Sequence, residues 1–228
     1  MKIGVIGSGN MGRALGVAAA RAGYDVFFGA RRAEQAEAAA RQAGGGAEAG
    51  STDDAVAFGE MLIWTMREPD PAKVLANPAA LVGKIVVDLN NRDYANDVQN
   101  GVWFDAAIAE RLQAAAPEAR VVKAFNTIAM ETFDTAPKAL REAGAQVFLA
   151  GGDAEAKRLV EAFARDLGFR SVGLGDGPAA LRAAEALGDV IRLLMIDGGH
   201  GGRANLQLAM LPKPALGAIG ERESSHYH

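Results

Sequence analysis

The first thirty residues change hydrophobic period twice, and that limits the folds open to this chain. "KIGVI" (2–6) is a short, β-branched apolar run, and "GSGNMG" (7–12) follows it. "RALGVAAARAG" then places Leu15, Ala18, Ala19 and Gly23 at helical spacing, with Gly23 as a stop, before "YDVFFG" (24–29) returns to a strand pattern. A strand, a glycine turn, a helix and a second strand predict parallel strands joined by a right-handed crossover.

The alternation continues. "EQAEAAARQA" reads as a helix stopped by Gly44, Gly45 and Gly46, and "GAEAG" as a weak third strand. "STDDAVAF" opens with Ser51 three residues before Asp54, a capping pattern. "EMLIWTM", "KIVVDLNN" and "ARVVKAFNT" read as the fourth, fifth and sixth strands, with "PAKVLANPAALV" mostly helical and "AAIAERLQAAA" a helix ending at Pro117. "AQVFLAG" and "FRSVGLG" read as further strands around a strongly amphipathic helix, "DAEAKRLVEAFARDLG". From Pro178, "PAALRAAEALGDVIRLLMID" reads as one long helix, broken by "GGHGG". "RANLQLAML" is expected to form another helix, and the tail from Pro212 is polar and irregular. "DGGHGG" reads as a flexible lid or a turn between helices, with the turn favoured. The pattern predicts an α/β fold: a Rossmann-type, doubly wound, mostly parallel sheet with a small C-terminal helical segment. The expected division is a dinucleotide-binding domain over 1–175 and a helical segment with tail over 176–228.

Gly7, Gly9 and Gly12 form G-x-G-x-x-G between a strand and a helix, the setting in which that spacing has a mechanism. The first glycine permits the tight turn, the second admits a pyrophosphate to the backbone, and the third lets helix and strand approach. The free N–H groups and positive dipole end of the helix then face the phosphates, with Ser8, Asn10 and Met11 inside the same turn. At the end of the second strand an NAD-binding chain carries Asp or Glu to bond the ribose 2′-OH. Here Gly29, Ala30, Arg31 and Arg32 stand there, and the first carboxylate is Glu34. A guanidinium grips a phosphate through two parallel hydrogen bonds and stacks on adenine. The expected cofactor is therefore NADP(H), with Arg31 on the 2′-phosphate, Arg32 second and the Ser8 hydroxyl in support.

Ligands of such sheets lie beyond the carboxyl ends of the strands. Thr65, Met66 and Arg67 follow the fourth strand, Leu89, Asn90 and Asn91 the fifth, and Asn126 and Thr127 the sixth. Their amides and hydroxyls suit a nicotinamide carboxamide and its ribose. A net charge of −4 argues against non-specific binding to nucleic acid or membrane surfaces. Zero cysteines exclude disulfides, thiolate zinc sites and a cysteine nucleophile. No leader-like segment and no apolar run near eighteen residues is evident, so a cytoplasmic location is expected. His200 lies in a glycine loop, and His226 and His228 at the extreme end, so none has the setting of a general base. No catalytic side chain and no metal ligand set is assigned. Hydride transfer between two carriers needs only stacked rings, which is catalysis by positioning.

"IGSGNMGRALG", "FFGARR", "KIVVDLNN", "VVKAFNT", "AGGDAEAKRLVEAFARDLGF" and "ALRAAEAL", in this order, resemble the NADPH-dependent reductases of the deazaflavin coenzyme F420. "KAFNT" also resembles the cytosolic domain of membrane metalloreductases. The first resemblance implies hydride transfer between NADPH and the deazaflavin C5, with the nicotinamide near Asn126. It implies that coenzyme F420, as second substrate, lies between the sheet edge and the C-terminal helix, where Arg182 and Glu185 match family positions. It also implies a homodimer. Ala30 and Gln35 stand where archaeal members commonly carry Ser and Lys, and Gly188 about where the family has a threonine. Two other readings stay open: an NADPH-dependent reductase of a flavin, quinone or ferric chelate, and a non-catalytic NADP(H)-binding sensor.

Overall fold

A computed structural model describes residues 1–212. Six short strands form one parallel sheet: β1 (Lys2–Ile6), β2 (Asp25–Gly29), β3 (Glu48–Gly50), β4 (Met61–Trp64), β5 (Ile85–Asp88) and β6 (Arg120–Lys123), in the order β3-β2-β1-β4-β5-β6. The central strands β4 and β5 are buried along their whole length, as apolar runs covered on both faces must be. On one face lie α1 (Asn10–Arg21), α2 (Ala33–Ala43) and, beyond them, α7 (Ala154–Asp166), all contributing to one apolar cluster. The other face is covered by α3 (Thr52–Phe58), α5 (Ile108–Ala115) and α8 (Gly177–Met195), around Leu62, Trp64 and Val86. The sheet is thus doubly wound.

β7 (Gln146–Leu149) and β8 (Arg170–Gly173) form a separate parallel pair, tied to the end of β6 by an antiparallel bridge between Lys123 and Ala150. Short helices α4 (Tyr94–Gln99) and α6 (Pro137–Glu142), and a 3-10 turn at Met130–Asp134, complete the chain. The α3 cap forms as its spacing predicts: the Asp54 amide donates to the Ser51 hydroxyl at 3.1 Å, and the Ser51 amide donates to Asp54.

Two expected helices do not form. Over 71–82 there are only 3-10 turns, at Pro71–Lys73 and Pro78–Leu81. Pro78 cannot donate and forces Asn77 out of helical backbone. The amides of Ala76 and Asn77 donate instead to the Asp53 carboxylate, at 3.1 and 2.9 Å. Residues 203–211 are not helical either. Asn205 and Leu208 pair with Gln146 instead: the Gln146 amide donates to Asn205 Oδ1 at 2.9 Å, and the Leu208 amide to Gln146 Oε1 at 2.8 Å. This strap lies along the start of β7. The glycine segment between α8 and the strap is a turn, with Gly199 and Gly201 at φ +70°. His226 and His228 lie outside the described residues.

Candidate functional site

The sheet reverses its winding between β1 and β4, and the candidate site lies at that switch, beyond the strand ends. The glycine turn is built as its spacing requires. Gly7 takes φ +99°, and a side chain at Gly12 would meet the Gly7 carbonyl at 2.0 Å. Around Gly9 there is open space. α1 begins here with no side-chain cap and no acidic residue in its first turn, so its N–H groups stay open to an anion. Two hydroxyls brace the turn. Ser8 Oγ donates to the Gly29 carbonyl at 3.1 Å and Thr65 Oγ1 to the Gly7 carbonyl at 2.7 Å. Ser8 is thus buried, with its proton committed to β2.

A cavity of about 510 Å³ opens beside this turn, lined by Gly7, Ser8, Gly9, Arg31, Arg32 and Thr65 among others. Both arginines are exposed, and neither forms an ion pair among the described residues. Arg32 is the N-cap of α2, which has no side-chain cap. Ala30 and Gln35 also line this cavity. A second cavity, of about 350 Å³, shares Gly9 and Thr65 with the first and runs past Asn10, Met11 and Arg67 to Asn90 and Asn126. A third, of about 240 Å³, shares Arg67, Asn91 and Asn126 with the second and is walled by α8 through Gly188, Asp189 and Arg192. Together they make a track from the end of β2 to the C-terminal helix. Met66 stands at the near end of this track and Thr127 at the far end.

The two candidate asparagines after β5 differ in what they can offer. Asn90 turns inward: its Nδ2 donates to Asp88 Oδ1 at 2.6 Å and to the Trp64 carbonyl at 3.1 Å. Asn91 and Asn126 hold each other. Asn91 Nδ2 donates to the Asn126 carbonyl at 2.7 Å, and Asn126 Nδ2 to Asn91 Oδ1 at 2.9 Å and to the Ala184 carbonyl at 2.8 Å. A Cβ at position 188 would fall 2.0 Å from Asn91 Oδ1, so the glycine there gives the Asn91 amide its room. Asn126 follows Phe125, which takes φ +61° with its ring fully buried against Phe133, Phe163 and Phe169.

Beneath the site Lys123, Asp88 and Glu185 form a fully buried group. Lys123 Nζ donates to Asp88 Oδ2 at 2.8 Å and to the Asn90 carbonyl at 2.5 Å, and lies 3.1 Å from Glu185 Oε2. Glu185 also accepts from the Ile108 amide at 2.7 Å. Burial raises its carboxyl above the ordinary 4.5, and the nearby Lys123 ammonium opposes that only in part. Glu185 is thus sealed under α8, and Arg182 is gripped in a bidentate pair by Glu110, at 2.8 and 2.9 Å. Neither lines any of the three cavities; in this structure both anchor α8.

In their place α8 presents Asp189, which the sequence reading passed over. Its Oδ2 accepts both Nε and Nη2 of Arg92, at 2.9 and 2.8 Å. The available signal was the i, i+4 spacing of Glu185 and Asp189 on a helix rich in alanine and leucine. The partner Arg92, 97 positions away, carries no such signal.

The fold is of the doubly wound Rossmann type, with a glycine turn of the dinucleotide-binding spacing at its switch point. Residues 2–92 match the family model described as "NADP oxidoreductase coenzyme F420-dependent". A crystal structure described as a "putative f420 dependent nadp-reductase", from Arthrobacter sp. FB24, is similar with a TM-score of 0.75 and 27% identity, over 92% of this chain and 100% of that one. Among curated proteins, metalloreductase STEAP3 of Rattus norvegicus is 28% identical over 186 residues, which is 82% of this chain and 36% of the relative. The chain thus spans about a third of the length of the curated metalloreductases it matches. An imine reductase from Aspergillus terreus, solved with NADPH4 and dibenz[c,e]azepine, shares the fold at 22% identity and a TM-score of 0.59, over 87% of this chain and 63% of that one. No helix among the described residues is long and apolar enough to cross a membrane.

Proposed function

We propose that this protein transfers a hydride directly between NADPH and a deazaflavin of the coenzyme F420 type. The observation that carries the reading is the continuous track from two arginines without carboxylate partners among the described residues, past an open helix N-terminus, to Asn126. In this reading the pyrophosphate lies on Gly7–Gly12, and Arg31, then Arg32, takes the 2′-phosphate. The nicotinamide half lies among Thr65, Met66, Arg67, Asn126 and Thr127, with Asn90 shaping the wall from behind. NADPH gives a hydride from C4 to the deazaflavin C5, a solvent proton completes the reduced deazaflavin at N1, and NADP⁺ remains. No protein side chain needs to gain or lose a proton.

The functional division at 175/176 follows the same lines: the sheet holds the cofactor, and α8 walls the third cavity. We further propose the homodimer and the cytoplasmic location that the resemblance implies. Val190, Leu193, Leu194 and Ile196 on and just beyond α8 are exposed and suit such an interface. Sedimentation at micromolar concentration tests it, with a single monomer species as the contrary result. The function is tested by following NADPH loss with oxidised deazaflavin as acceptor and FMN and a ferric chelate in parallel. Turnover with the deazaflavin alone is expected. Turnover with the ferric chelate alone would move the assignment to the metalloreductase-like alternative. Tight NADPH binding without turnover of any acceptor would make the chain an NADP(H) sensor.

A further inference from the structure

Lys123 is the one fully buried cation among the described residues. An ammonium has three N–H groups, and here three acceptors surround it. Asp88 Oδ2 on β5 lies at 2.8 Å, the Asn90 carbonyl in the loop after β5 at 2.5 Å, and Glu185 Oε2 on α8 at 3.1 Å. A buried ion pair is weak evidence of stability, since apolar residues of like volume often replace it without loss. What an apolar side chain cannot do is hold a carbonyl and a carboxylate in fixed directions.

The acceptors belong to two different parts of the site. Asp88 Oδ1 accepts from the Asn90 amide at 3.1 Å and from its side chain at 2.6 Å, so residues 88–90 wrap the ammonium on the cofactor side. Asn90 lines the second cavity. Glu185 belongs to α8, where the neighbouring Ala184 carbonyl holds Asn126, and Gly188, one turn on, packs against Asn91. Asn91 and Asn126 line both the second and the third cavity. One ammonium thus ties the loop that walls the cofactor end to the helix that walls the other. The charges also balance: Lys123 and Asp88 make a neutral pair, and burial favours the neutral acid at Glu185.

We propose that Lys123 is a positioning residue: through Glu185 it fixes the gap between the 89–91 loop and α8, and so the room in which the nicotinamide ring is held. The inference rests on the reading above only for the place of the nicotinamide, and not on the acceptor. The Asp88 side of the link is built into the sheet, because Asp88 and Lys123 are registered partners on β5 and β6. The Glu185 side joins sheet to helix, and it is therefore the side to break.

Glu185→Leu removes that side and leaves the Lys123–Asp88 pair intact. Glu185→Gln keeps an oxygen for the ammonium and for the Ile108 amide. NADPH affinity, read by calorimetry, should change little in either, since the glycine turn, Arg31 and Arg32 are untouched. The fluorescence lifetime of the bound reduced nicotinamide should shorten in the leucine variant, as the ring gains freedom, and return in the glutamine variant. Single-turnover oxidation of NADPH by the oxidised deazaflavin should fall about a hundredfold in the leucine variant, the scale of a misplacement of about 1 Å. Hydrogen exchange of the unmutated protein guards against a leucine variant that does not fold. Ala184 and Glu185 line none of the three cavities, yet NADP⁺ should slow exchange there as well as over 88–92. An unchanged lifetime in Glu185→Leu, an equal loss in both variants, or protection that stops at the strand loops overturns the proposal. A shortened lifetime with rescue, but no oxidation of NADPH by the deazaflavin in the unmutated protein, would sink the hydride-transfer reading and leave this one standing. Oxidation at one rate in all three proteins, with equal lifetimes, would do the opposite.

Discussion

Phe125 shows most plainly how single residues shape this site. Its backbone takes φ +61°, in the left-handed region, which costs about 1–2 kcal/mol for a residue with a side chain. Burial of the whole ring among Phe133, Phe163 and Phe169 offsets that cost. The result is a sharp exit from β6 that sets Asn126 against Asn91 and α8. Two expectations follow at this position. Phe125→Ala should lose about 3–5 kcal/mol of stability through the vacated core volume. Phe125→Gly should lose roughly 1 kcal/mol less than the alanine variant, because glycine is at ease in this conformation. Denaturant unfolding of both variants checks the order, and an alanine variant as stable as the glycine one would contradict the strain. At the other end of the track, Arg31→Ala should weaken NADPH by on the order of 1.5–3 kcal/mol. NADH should be nearly unaffected. Calorimetric titration of both cofactors reads the difference, and equal weakening would refute the 2′-phosphate assignment. The exposed position of Arg31 and Arg32 beside the glycine turn was legible in the sequence because it is local: the end of a strand in a known spacing. Asp189 was not legible, because its role depends on Arg92 and on a cavity that forms only when α8 docks.

At the scale of elements, α8 is the piece whose placement decides the second pocket. It is anchored by Ala180, Leu181 and Ala184 in the apolar cluster, by Arg182 on Glu110, and by Glu185 beside Lys123. Lys123 illustrates a limit of pattern reading. A lysine inside an apolar strand looks solvent-facing, yet it is fully buried because Asp88, on the adjacent strand, stands at its registered partner position. Such pairing depends on strand order, which no local window contains. The 71–82 stretch failed differently: its alanines and leucines follow a helical period, but Pro71 and Pro78 decide the backbone. Elements with an unbroken period, such as α7 and α8, form within a few residues of their expected bounds. The buried Glu185 adds a pH dependence. The fold favours its protonated form, so the stability it contributes is whole below its ordinary value of 4.5 and is lost as the pH rises through the raised one. Melting temperature recorded from pH 4 upward should therefore fall more steeply in the unmutated protein than in Glu185→Gln. Parallel profiles would show that this carboxyl is not shifted upward.

For the whole molecule, the strand order explains why one short glycine turn and four distant strand ends act together. Winding outward from β1 in both directions leaves a crevice at the switch, and the ends of β2, β4, β5 and β6 open onto it. The fold class and the geometry of the glycine turn were readable because they rest on a repeated, local β-turn-α unit. The second half was not, because α8 meets the strand-end residues from 58 and 97 positions away. The central claim is that the two halves bring two rings face to face. NADPH carrying deuterium at the 4R position, then at the 4S position, is the direct test, with mass spectrometry of the reduced deazaflavin as the readout. One of the two labels should appear at the deazaflavin C5, undiluted by solvent hydrogen. A product in which neither label survives and the C5 hydrogen comes from water would contradict ring-to-ring transfer.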